Sequence, residues 1–114
     1  MSSDDGERLF VYGALMDAAL RASIVGRSID AIPARLIGWK RERRRYYFVE
    51  RSAGETVEGA ILEDLSARDL KILDEYEEVP ALYTRQRIVV ATRDGRSVEC
   101  WIYIQTARVM ADLP

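Results

Sequence analysis

The residues best suited to chemistry in this chain are the acids gathered at Asp74, Glu75, Glu77 and Glu78. Turned at 3.6 residues per turn, a helix running from Ser66 to about Glu77 places Leu70, Leu73 and Glu77 on one narrow stripe. Glu75 and Glu78 point away from that stripe, so the spacing directs Glu77 inward. A carboxylate set against an apolar face keeps its proton to higher pH than one in water, which suits an acid that must both give and take a proton. Burying a carboxylate without such a role or a partner is costly. The spacing also fits a Glu77 at a fraying helix end, just before Val79 and Pro80, turned to water or paired with Arg85 or Arg87.

A second constellation is Tyr12-Gly13-Ala14-Leu15, where an apolar strand opens into a turn ahead of a helix capped at Asp17. Backbone N–H groups in such a turn can converge on a carboxylate or a developing oxyanion, and glycine permits close approach. An ordinary tight turn would carry the same residues. Tyr83 and Tyr103 stand at strand-like ends, where a hydroxyl can orient a ligand or simply reach the surface from a core ring.

The segment Arg41-Glu42-Arg43-Arg44-Arg45-Tyr46-Tyr47 sets cations beside aromatic rings, a pattern able to grip phosphates and stack bases. However, 17 Lys and Arg face 19 Asp and Glu, a formal charge of -2 that supplies no general field for nucleic acid or anionic lipid. The stretch therefore reads as a solvated connection with Glu42 and other acids as partners, and no nucleic-acid partner is expected.

Histidine is absent and Cys100 is the single cysteine. Ser-His and Cys-His nucleophiles and a structural zinc site are thereby excluded, and no metal or organic cofactor is expected. A core without disulfides suits a reducing, cytoplasmic setting. Cys100 alternates with Val98 and Ile102, the pattern of a small core residue. No apolar run approaches the roughly 18 residues that span a bilayer, and the first residues lack the basic and apolar regions of a secretory signal, so neither membrane nor export is expected.

These side chains need elements to position them. Residues 9–12 read as a strand buried on both faces, and Asp17 caps a helix over Ala18–Val25 with Leu20 and Ile24 four apart on one side and Gly26 as its stop. Residues 34–39 and 46–49 have strand composition, residues 52–55 turn chemistry, and residues 57–62 strand composition again. Ser66 with Asp69 forms a helix N-terminus, stapled by Leu65 and Leu70. Residues 87–92 and 98–105 flank Asp94-Gly95, a dipeptide of tight hairpins whose residues both tolerate positive φ. Strands outnumber helices without regular alternation, which gives an α+β fold with a curled, mostly antiparallel sheet. Residues 1–7 read as a mobile polar tail, with order from Leu9, and residues 8–114 as one domain; the stretch 106–114 packs or dangles.

Taken in order, Leu9-Phe10-Val11-Tyr12-Gly13-Ala14-Leu15, Val57-Glu58-Gly59, Leu73-Asp74-Glu75-Tyr76-Glu77 and Pro80-Ala81-Leu82-Tyr83-Thr84-Arg85 resemble the gamma-glutamylcyclotransferase-like family, which includes the gamma-glutamylamine cyclotransferases and the avirulence-induced-gene type proteins. The resemblance implies a compact, barrel-like mixed sheet with short flanking helices and a cavity beside the first turn. It implies that the last glutamate of the Leu-Asp-x-aromatic-Glu motif, Glu77, is the acid/base, and that the backbone of Tyr12 to Leu15 holds a gamma-glutamyl group. A small gamma-glutamyl compound would then be the substrate, cyclised to pyroglutamate with release of its amine. Ala14 stands where that family usually has threonine or serine, and the arginines at 41–45 are unlike its usual sequence. A non-catalytic ligand-binding module on the same fold is the alternative.

Overall fold

Three consecutive apolar residues cannot share one face of a strand, so burying Leu9, Phe10 and Val11 together requires packing on both sides. The computed structural model, which describes residues 6–43 and 45–107, places β1 (Glu7–Val11) in the wall of a closed barrel, with one face to the barrel interior and the other against a cluster that includes both helices. The other strands are β2 (Ala31–Arg43), β3 (Tyr47–Leu65), β4 (Tyr83–Thr92) and β5 (Ser97–Gln105). Around the barrel the order is β1-β3-β2-β4-β5. Every pairing is antiparallel except the one that closes the ring, β1 beside β5, with Leu9 opposite Trp101 and Phe10 opposite Ile102. The mixed, mostly antiparallel barrel is therefore the expected one.

Alternation along β1 divides the core. Phe10 points into the barrel with Leu36, Val49, Ile61, Cys100 and Ile102, while Leu9 and Val11 join Leu62, Leu65, Leu70, Leu73 and Val25 in a second cluster that includes residues of both helices. Cys100 is wholly buried, as its alternation suggested. At Gly59 the barrel wall admits no side chain: a Cβ there would lie 2.3 Å from the Val11 carbonyl oxygen and 2.6 Å from Phe10 Cζ.

The two helices start and stop where their caps dictate. Asp17 accepts from the amides of Ala19 and Leu20, and Gly26, at φ +90°, ends α1 (Ala18–Val25). Ser66 and Asp69 form the reciprocal capping box of α2 (Ala67–Tyr76). On α1, Arg21 and Val25 are buried, and Ile24, half-buried, packs against the same cluster. Arg21 tolerates burial because its Nε donates to the Ile29 carbonyl and its Nη1 to the carbonyls of Leu15 and Met16, and no buried side-chain nitrogen or oxygen among the described residues lacks a partner.

Four expectations are corrected. Order begins earlier than Leu9, since Glu7 opens β1 and accepts from the Trp101 indole, while residues 1–5 and 108–114 lie outside the described residues. Residues 52–55 do not separate two strands but bulge within β3, opposite Gly38 alone, where the register jumps from Ile37 opposite Thr56 to Trp39 opposite Arg51. The arginine-rich stretch is no free connection, because β2 runs through Arg41 to Arg43, paired with β3 (Arg44 is outside the described residues). In the last hairpin only Gly95 of the Asp94-Gly95 pair takes positive φ.

Gly59→Ala is expected to cost roughly 1–3 kcal/mol of stability through overpacking, with Tm falling about 4–8 °C per kcal/mol for a chain of this size. Thermal unfolding followed by circular dichroism checks this; an unchanged Tm would mean that the two backbones do not meet there.

Candidate functional site

Where β1 ends, the chain turns away from the barrel axis and leaves a cavity of about 420 Å³. Tyr12, Gly13, Ala14, Leu15, Glu77, Tyr83 and Tyr103 all line it. The seven residues that stood out along the sequence thus come together in one place, brought there by β1, α2, β4 and β5.

The turn at 12–15 is a strand end running into a single 3-10 turn, Ala14–Met16. Its carbonyls are used: Gly13 accepts from the Met16 amide and Ala14 from the Asp17 amide. The amides of Ala14 and Leu15, as the first of a helical turn, make no hydrogen bond within the described residues, the usual condition of helix-starting N–H groups. Arg21 holds the far side of the turn through the Leu15 and Met16 carbonyls. Gly13 sits close under Tyr47: a Cβ would lie 3.0 Å from the ring, which would have to shift by a few tenths of an ångström to admit it. Its φ is -135°, outside the left-handed region.

Glu77 is the C-cap of α2. The helix closes with Glu78 at φ +58°, the Glu78 amide donating to Glu75 and the Val79 amide to Asp74, the paired bonds of a Schellman closure with glutamate where glycine is customary. This closure sets Glu77 over the cavity. Neither arginine considered as its partner is available. Arg85 forms a two-pronged pair with Asp74 at 2.9 and 3.1 Å, and Arg87 pairs with Glu99 and Glu7. Burial pushes the Glu77 carboxyl from 4.5 up to about 7. Its place at the negative end of the α2 dipole acts in the same direction.

The tyrosines serve the scaffold through their hydroxyls. Tyr12 donates to the Tyr103 carbonyl at 2.6 Å, Tyr83 to the Tyr47 carbonyl at 2.5 Å, and Tyr103 to Asp74 at 2.7 Å. Burial holds all three well above the usual tyrosine range. Tyr83 and Tyr103 therefore present ring surface to the cavity, and Glu77 is the group poised to exchange a proton at neutral pH.

The hairpin tip joining β2 and β3 was missed as part of the site. Arg43, Arg45, Tyr46 and Tyr47 line the cavity, and Arg41 donates to the Tyr12 carbonyl at 2.7 Å. The guanidiniums of Arg41 and Arg43 lie 4.9 and 5.2 Å from the centre of the Tyr47 ring. A usable signal was the period-two pattern of sign: Lys40 and Glu42 share one face, bridged to each other and to Glu50, while Arg41 and Arg43 share the other. Among the described residues no group of three His, Cys, Asp or Glu side chains is placed to hold a metal ion, and no helix is long and apolar enough to cross a membrane.

An acid whose folded pKa lies above its unfolded value is bound to its proton more tightly in the folded chain, so folding loses stability as pH rises from about 4.5 to about 7. Glu77→Gln removes that penalty. The variant is expected to be more stable than wild type at pH 8, by roughly 1–3 kcal/mol, and equal to it near pH 4. Denaturant titrations at the two pH values test this; a variant less stable at pH 8 would mean that the carboxylate is paired.

Comparisons place this geometry among known proteins. A family model described as gamma-glutamyl cyclotransferase, AIG2-like, matches residues 9–113. A Methanocaldococcus jannaschii protein, named as a gamma-glutamylcyclotransferase with an unproven RNase role, is 29% identical over 100 residues, which cover 85% of this chain and 45% of the relative. The chain thus spans less than half the length of that relative. An Arabidopsis thaliana protein solved in solution superposes with a TM-score of 0.81 at 22% identity, covering 99% of this chain and 79% of its own. A mouse AIG2-like protein gives 0.66 at 24% identity, covering 96% and 85%. A structure named gamma-glutamyl cyclotransferase gives 0.79 at 22% identity, covering 88% and 66%. At these identities the structural likeness is one of fold.

Proposed function

Since the chain belongs to the gamma-glutamyl cyclotransferase, AIG2-like family, we propose that it cyclises a small gamma-glutamyl amine or peptide to pyroglutamate and releases the amine, with Glu77 as general base and then general acid. The observation that carries this reading is a carboxyl group raised to about 7 in a cavity also lined by Ala14 and Leu15, whose amides make no hydrogen bond within the described residues.

The chemistry follows from those two features. Ionised Glu77 takes a proton from the substrate's α-ammonium group, and the freed nitrogen attacks the γ-carbonyl carbon of the same residue. A lactam C–N bond forms and negative charge gathers on the carbonyl oxygen. The Ala14 and Leu15 amides would steady that oxygen or the substrate's α-carboxylate, each donor to an oxyanion contributing roughly 3 kcal/mol. As the adduct collapses, Glu77 passes the proton to the leaving nitrogen, the original amide bond breaks, and the ring nitrogen sheds its second proton to the departing amine, which leaves as an ammonium. A pKa near the working pH lets one carboxyl serve both steps. Glu77 must start ionised, so kcat/KM should rise with pH through about 7.

Ala14 favours a second reading. A side chain without a hydroxyl leaves only backbone to hold the substrate, which suits a module that binds gamma-glutamyl compounds without converting them. Incubation with a panel of gamma-glutamyl amines, dipeptides and lysine conjugates, with pyroglutamate as the readout, separates the two. Turnover by wild type and a loss of about 10²–10⁴-fold in Glu77→Gln is the expected result. Equal activity in Glu77→Gln would remove Glu77 from the mechanism, and binding without pyroglutamate would establish the module.

A further inference from the structure

The cavity is polarised. Glu77 and Glu78, at the end of α2, form one side, and Arg43 and Arg45, at the β2–β3 tip, form another. On a chain of net charge -2 this is a local arrangement, not an overflow of a basic surface. The nearby acids do not neutralise it, because Glu42 and Glu50 are both bridged to Lys40 on the other face of the hairpin. Neither Arg43 nor Arg45 forms an ion pair within the described residues.

The two guanidiniums are also set in place before any ligand arrives. Arg43 lies over the Tyr47 ring and Arg45 lies 5.9 Å from the centre of the Tyr46 ring. Tyr47 is itself fixed, its carbonyl accepting from Tyr83 and its ring lying against Gly13. Arginines laid on rings lose less freedom on binding than free side chains, and their planar forks match carboxylates. In the reaction above, the gamma-glutamyl half brings one ammonium group to Glu77 and one carboxylate within reach of the turn amides. That half does not account for the arginines, so they face what is attached to it.

Resting on that reading of the reaction, we propose that Arg43 and Arg45 select a leaving group with two carboxylates, so that the substrate class is a gamma-glutamyl conjugate of an acidic amino acid, alone or at the head of a γ-linked acidic chain. Two cations that line one cavity favour a dicarboxylate over a neutral amine, and a neutral amine over a cationic one. Overall negative charge gives such a substrate no long-range attraction, so its capture is local and weakens with salt.

Three compounds that share the gamma-glutamyl half decide this: γ-glutamyl-glutamate, γ-glutamyl-glutamine and γ-glutamyl-lysine joined through its α-nitrogen. In wild type, kcat/KM should fall in that order by about tenfold per unit of charge, the size of one charge-assisted hydrogen bond. Joint replacement Arg43→Gln with Arg45→Gln should bring the three values together, and Arg43→Lys should keep part of the order. Equal rates on the glutamate and glutamine conjugates in wild type, or a double variant that weakens all three alike, would overturn the proposal; the second result would put the arginines on the shared gamma-glutamyl carboxylate. Calorimetric binding of the same compounds to Glu77→Gln reads the preference without turnover. Preference there, with no pyroglutamate formed by wild type, would uphold the arginines' role and sink the catalytic reading; no preference there would sink the arginines' role whatever the enzyme turns over.

Discussion

Asp74 is the point on which the site turns. Its carboxylate accepts from Arg85 on β4 and from the Tyr103 hydroxyl on β5, so one side chain clamps the last turn of α2 onto two strands. Glu77 follows one helical turn later, and its direction is inherited from that clamp. The tie continues around the cavity. The Tyr103 carbonyl accepts from Tyr12, the Tyr12 carbonyl from Arg41, Arg41 lies over Tyr47, and the Tyr47 carbonyl accepts from Tyr83. Side chains of one element are repeatedly satisfied by the backbone of the next, which fixes positions with the tyrosine hydroxyls and leaves the Glu77 carboxyl out of the circuit. Hydrogen bonds of this kind contribute modestly one by one, but leaving a buried member unpaired is expensive, so the circuit resists partial opening.

Local rules made the helices and the placement of Glu77 legible. Asp17, Gly26, Ser66 and Asp69 act through near neighbours in sequence, so their pattern carries the whole physical cause. Helical phase sufficed to separate Glu77 from Glu75 for the same reason. What escaped were residues whose reason lies across the fold. Arg21 is buried because three carbonyls of residues 15, 16 and 29 await it, a fact that no periodicity of apolar residues records. The arginines of the β2–β3 tip look like a solvated loop when hydrophobicity is read alone; the sheet gives them a face and Tyr47 gives that face a support. The tyrosine hydroxyls were legible as polar groups near a cavity, but which of them the scaffold would claim depended on contacts up to 91 residues apart.

Family and geometry contribute different things. Membership in the family accounts for the barrel. Two details of this chain bear on the cavity, Ala14 without a hydroxyl and a cationic β2–β3 tip. Both alter what the cavity can grip and neither disturbs the strands that form it. A fold of this kind can therefore keep its strands while the lining of its cavity changes.

The ring closes between the first and last described strands, β1 and β5, in parallel. Parallel neighbours cannot be joined by a short turn, and these two are separated by nearly the whole chain, so loop-closure entropy is lost before their contacts form. During synthesis, β1 emerges first and waits with one edge unpaired until β5 follows. The cavity, whose lip hangs from β1 and whose Tyr103 wall belongs to β5, comes into being only at that last step. The chain accordingly belongs with slow, high-contact-order folders, and a nascent or nicked copy lacking β5 would have no site, however well its helices had formed.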